Sequence, residues 1–242
     1  MKALLLITSF LIPGLNSFSQ QLVNFKATDS ILITADLYKS GNSSSYILFF
    51  HQEDASRGEF SEIAPKIKNL GYNCLAVDLR YGNKFEYVKN ETSYRLKSIG
   101  ITAKAYDARK DIDAAINYAF SISHKPVILF GSSYSASLCL LAGKKNPKVR
   151  AVIGFSPGEF FAPSIKVRDS LLAYDKQVFL GSTPDESKYV SELANGIPAV
   201  RKTIFSPSGG KGLHGAKCLN KACSANNEYW LALSLFFREM QE

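Results

Sequence analysis

The chain has 242 residues, 46% of them hydrophobic and 21% charged, with a formal net charge of +8. That length and apolar content suffice for one substantial core and exclude a disordered or fibrous chain. The basic residues are scattered rather than gathered into a run interleaved with aromatics. The excess charge therefore speaks to solubility and weak anion attraction, not to nucleic-acid binding.

The first nineteen residues stand apart. Lys2 precedes an apolar run, residues 3–12, too short to span a bilayer, and Ser17-Phe18-Ser19 puts small residues where a signal peptidase reads. The expectation is a secretory signal, residues 1–19, cleaved near Ser19, and a secreted or periplasmic protein. Loss of Lys2 with the leader leaves +7. No cysteine follows the run, so no lipoprotein anchor or other stable membrane anchor is expected. One domain, residues 21–242, is expected to follow.

It begins with alternating apolar and polar residues around Thr28-Asp29-Ser30, the pattern of an antiparallel entry hairpin. Six short segments rich in branched or aromatic residues come next: 46–51, 74–80, 126–131, 151–156, 177–182 and 201–206. Most are continuously apolar, as strands buried on both faces of a parallel sheet are. Helical segments lie between them. Ile63, Ile67 and Leu70 share a face ending at Gly71, and residues 101–120 carry a stripe of Ala105, Ala108, Ile112, Ala115, Ile116 and Ala119. The segment "SIKVRDSLLAY" reads as a short helix, and the C-terminal helix presents Trp230, Leu231, Leu233 and Phe236. Alternating strands and helices predict an α/β fold, a mostly parallel sheet with helices on both faces.

In such sheets chemistry gathers at the carboxyl ends of strands. There the segment Gly131-Ser132-Ser133-Tyr134-Ser135 follows an apolar strand and precedes an apolar helix. A sharp strand-to-helix turn exposes its central serine when the residues two before and two after are small. Ser133 takes that central position; Ser135 replaces the usual second glycine. A nucleophilic serine needs a base, and the base needs an orienting acid; in this architecture they follow in the order serine, acid, histidine. Of three histidines, His124 precedes a strand and His51 lies upstream of the serine, whereas His214 sits in a glycine-rich loop after the last strand. His51 is expected to shape its loop by hydrogen bonding. For the acid, "VFLGSTPDES" offers Asp185 and Glu186; Asp185 is preferred because Pro184 stiffens the turn before it. The oxyanion hole is expected from the amides of Tyr134 and Gln52, with Glu53 as the neighbouring alternative. No metal or organic cofactor is expected. Cys74 and Cys139 lie in apolar runs, while Cys218 and Cys223, five apart in a polar loop, have a spacing compatible with a small disulfide ring.

Taken together, "FKATDSILITADLY", "YILFFHQEDASRGEF", "LGYNCLAVDLR", "GSSYSA", "FSPGEFF", "GSTPDE" and "GLHG" resemble the α/β-hydrolase superfamily, and within it the dienelactone hydrolase-like group. The resemblance spans nearly all of the chain after the leader. It implies the α/β-hydrolase fold and a Ser133–Asp185–His214 triad. The group's namesakes use cysteine as nucleophile, so serine here implies an esterase rather than a lactonase. Only about twenty residues separate the strand ending near Ser156 from the one starting near Gln177, which leaves no room for a cap domain. An uncapped site favours small or polar esters.

Overall fold

The computed structural model describes residues 20–42 and 44–240; the expected signal segment lies outside them. An antiparallel hairpin, β1 (Gln21–Lys26) and β2 (Leu32–Tyr38), opens the fold. β3 (Tyr46–Phe50), α1 (Ala64–Asn69) and β4 (Asn73–Val77) follow. A two-residue ribbon, β5 (Lys84–Phe85) with β6 (Val88–Lys89), and α2 (Glu91–Ser98) then lie outside the sheet. The chain continues through α3 (Arg109–Ser123), β7 (Val127–Ser132), α4 (Tyr134–Gly143), β8 (Val149–Phe155), α5 (Val167–Ser170), β9 (Gln177–Gly181), α6 (Pro184–Leu193), β10 (Lys202–Phe205) and α7 (Asn226–Glu239).

Eight strands form one sheet in the order β1-β2-β4-β3-β7-β8-β9-β10. β2 meets β4 antiparallel, and every pairing from β4 to β10 is parallel. Six of the eight are the apolar segments read from the sequence, and the central ones are buried on both faces. In β3, Tyr46, Leu48 and Phe50 face one core with Ile112, Leu138 and Val167. Ile47 and Phe49 face the other, against α1 and α7. Helices cover both faces, as alternation implies. On the second face an aromatic ladder crosses the strands: Phe49–Phe130, Phe130–Phe155 and Phe155–Phe179 have ring centroids 4.9, 5.3 and 5.8 Å apart.

The structure shifts several expected boundaries. Residues 101–104 precede α3 without helical structure, and residues 105–108 form a 3-10 turn. α7 buries Tyr229, Leu233, Phe236 and Phe237, while Leu231 faces solvent. Cys218 and Cys223 are separate buried thiols within the second core, not a disulfide ring.

A buried ion cluster fixes the loop after β3. Arg57 reaches Asp36 of β2 at 3.0 Å and Asp78 beyond β4 at 2.6 Å. Asp78 also accepts from the amides of Arg57 and Glu91, at 2.8 and 2.7 Å, and so joins the loop to α2. Replacing Arg57 with methionine would strand two buried carboxylates. It should lower the unfolding free energy by about 3–5 kcal/mol in urea titration, and a loss below about 1 kcal/mol would argue against the clamp.

Candidate active site

The turn from β7 into α4 carries Ser133 at φ +58°, ψ −123°, a conformation L-residues rarely adopt. Its amide is pinned by a 2.8 Å bond to the Phe155 carbonyl at the end of β8. Gly131 makes the turn possible: a Cβ there would lie 2.5 Å from the backbone nitrogen and Cα of Ala136. Ser135, in place of a second glycine, does not crowd the turn. Its hydroxyl accepts from the Ser132 amide at 2.9 Å and donates to the Phe50 carbonyl at 2.6 Å, which joins the turn to β3.

His214 stands on the loop after β10 with its Nε2 2.8 Å from Ser133 Oγ. Its Nδ1 lies 2.5 Å from Glu186 Oε1. The acid in contact with the imidazole is therefore Glu186 and not Asp185. Helix geometry explains the difference. Thr183 caps α6 and Glu186 is its third residue, so the carboxylate turns back toward the cap, accepting from the Thr183 amide at 3.1 Å. Asp185, one residue earlier, makes no bond to the imidazole.

Ser156 escaped sequence reading. It sits just past β8 at φ +53°, donates to Glu186 Oε2 at 2.6 Å and accepts from the Gly215 amide at 3.0 Å. Burial opposes ionisation of Glu186, but bonds from His214, Ser156 and Thr183 outweigh it and hold the pKa at about 2. The stability this contributes is present above the ordinary value of 4.5 and is lost as the pH falls toward 2.

On the other side of Ser133, the amides of Tyr134 and Glu53 donate to no protein acceptor among the described residues. Gln52, the expected oxyanion donor, is committed elsewhere: its N–H donates to Glu59 Oε2 at 2.7 Å. The Glu53 amide, the neighbouring alternative, carries no such bond. The Tyr134 side chain anchors its own end by donating to the Tyr81 carbonyl at 2.9 Å. His51 is buried beneath. Its Nε2 accepts from the Leu79 amide at 3.0 Å, which places the proton on Nδ1, 2.7 Å from the Gln52 carbonyl. Burial pushes its pKa down to about 4, so it is a neutral strut.

Ser133 is 6% exposed, whereas the His214 side chain is 47% exposed. A cleft of about 310 Å³ opens beside the imidazole, walled by Pro157, Phe160, Tyr189 and Glu186. A second cleft, of about 450 Å³, lies on the Glu53 side, with Asp54, Tyr81 and Lys97 on its walls. Between β8 and β9 the chain holds only α5 and turns, with no inserted cap.

The chain matches no family model and no curated protein. Solved structures are similar over nearly their whole length. An esterase of Pyrococcus furiosus, Pf2001, is 16% identical with a TM-score of 0.67, covering 92% of this chain and 93% of that one. A dienelactone hydrolase of Anabaena variabilis is 16% identical with a TM-score of 0.67, over 91% and 97%. Thermogutta terrifontis esterase 2 is 15% identical with a TM-score of 0.64, over 94% and 95%. With this sheet order, strand-to-helix turn and set of neighbours, the chain has the α/β-hydrolase fold, with no cap inserted between β8 and β9.

Proposed function

We propose that the protein is a serine hydrolase that cleaves small or polar carboxylic esters through an acyl-enzyme. One observation carries this reading: an unbroken hydrogen-bonded line from Ser133 Oγ through the His214 imidazole to the Glu186 carboxylate. Three separate segments, the β7–α4 turn, the first turn of α6 and the loop after β10, supply these groups at distances that proton transfer requires.

In the proposed cycle Ser133 Oγ attacks the ester carbonyl carbon while His214 Nε2 takes its proton. Glu186 holds the tautomer with the proton on Nδ1 and stabilises the imidazolium. The developing oxyanion receives the amides of Tyr134 and Glu53. His214 then protonates the departing alcohol, and water, activated by the same imidazole, releases the acid. The small aromatic-walled cleft and the absence of a cap support compact substrates over long acyl chains. Esterase neighbours support the reaction class, and the one from Thermogutta terrifontis has been captured phosphorylated by paraoxon. The sequence of residues 1–19, with Lys2, a short apolar run and Ser17-Phe18-Ser19, supports export.

Ser133→Ala should abolish hydrolysis of p-nitrophenyl acetate and labelling by a fluorophosphonate, with the melting temperature little changed; retained turnover would reject the assignment. Glu186→Gln should lower kcat by about 10⁴-fold, by analogy with loss of the orienting acid in serine proteases, whereas Asp185→Asn should leave kcat near wild type. The reverse pattern would restore Asp185 as the acid. N-terminal sequencing of protein recovered outside the cytoplasm should begin near Gln20, and an intact Met1 would argue against cleavage.

A further inference from the structure

Glu59 is a fully buried carboxyl with no place in the cycle above. Its Oε2 accepts from the Gln52 amide and its Oε1 from Ser132 Oγ, each at 2.7 Å. Ser132 Oγ in turn accepts from the Ala216 amide at 2.8 Å. Ala216 lies two residues beyond His214, Ser132 one before Ser133, and Gln52 one before Glu53. Glu59, through the Ser132 hydroxyl, thus ties the oxyanion loop and the nucleophile turn to the base loop. The fit is close: a Cβ on Gly215 would lie 2.5 Å from Ser132 Oγ.

The chain around Glu59 is built to hold it. Ser56 Oγ caps the turn at the Gly58 amide, 3.2 Å away, and Arg57 is clamped to Asp78. Phe60 packs on Phe49 and Phe130, with ring centroids 5.1 and 5.9 Å apart. Among the described residues no cation pairs with Glu59 directly, and burial pushes its pKa up to about 7 against the pull of Ser132 and Gln52. A buried carboxyl without a paired cation is a costly space-filler. What its ionised form offers over an amide is two oxygens that accept and no donor. With glutamine here, an NH₂ would either oppose the Gln52 N–H or fill Ser132 Oγ with a second donor and leave the serine proton without an acceptor. The first orientation breaks a tie, and the second reverses one and leaves a buried hydroxyl proton unpaired.

We propose that Glu59 is a positioning residue that sets the oxyanion loop, the Ser133 turn and the His214 loop in register. Its kinetic readout rests on the ester-hydrolase reading; its structural readout does not. In Glu59→Gln, kcat for p-nitrophenyl acetate should fall about 10–100-fold with KM nearly constant, because misplaced amides and base weaken transition-state binding alone. Ser132→Ala keeps the carboxylate and removes the link to Ala216, so it should give a loss of the same kind if Glu59→Gln does not fold. The double variant should fall no further than the worse single one, since the ties act in series. In ¹⁵N-resolved spectra the amides of Gln52, Glu53, Tyr134 and Ala216 should shift together in either variant. Unchanged kcat in stably folded variants, additive losses, or shifts confined to the nearest amide would overturn the proposal. Should the wild type neither turn over esters nor label, the ester-hydrolase reading falls, and the amide shifts alone decide the role of Glu59.

Discussion

The backbone at Ser133 is the constraint on which the site depends. At φ +58° the peptide is held against its own preference, at a cost of order 1–3 kcal/mol. The bond to the Phe155 carbonyl, the close approach of α4 over Gly131 and the hydroxyl bridge from Ser135 to Phe50 keep it there. Each restraint comes from a different strand, β8, β7 and β3, so the parallel order of the sheet fixes the direction of the Ser133 hydroxyl. The aromatic ladder beneath these strands gives the arrangement a stiff floor.

Around this point the acidic groups are sorted by surroundings. Glu186, half-open and fed by three donors, stays ionised and can face an imidazolium. Glu59, sealed from water, is raised toward neutrality and binds only backbone and hydroxyl partners. Asp36 and Asp78 are taken up by Arg57 and hold the loop that carries Glu59. Carboxyls thus serve orientation, loop setting and anchoring within one region, and their hydrogen-bond partners decide which.

Much of this was legible in the sequence, and the failures have physical causes. The six central strands were readable because both faces are buried, which leaves continuous apolar runs. Ser133 and His214 were readable because chain order and small-residue spacing constrain them. The choice between Asp185 and Glu186 turned on helical phase: Thr183-Pro184-Asp185-Glu186 is a capping box, and its fourth residue is the one that bends back to the strand end. That signal lies in the sequence itself. The Gln52 amide could not have been assigned from its own neighbourhood, because its partner lies seven residues on in a turn with no periodic pattern. The short β5–β6 ribbon and α2 lack a sustained apolar stripe and were not anticipated for the same reason.

One consequence follows from the exposure of His214. Nearly half of its side chain faces solvent, so the imidazole is reachable from bulk water without a channel. The proposed cycle then needs no buried relay to reset it between its two halves. In the proposed cycle the alcohol would depart, and the hydrolytic water arrive, on that open side. Such a site sets few limits on what trails away from the scissile bond, so discrimination among reactants falls to the few ångströms around the carbonyl.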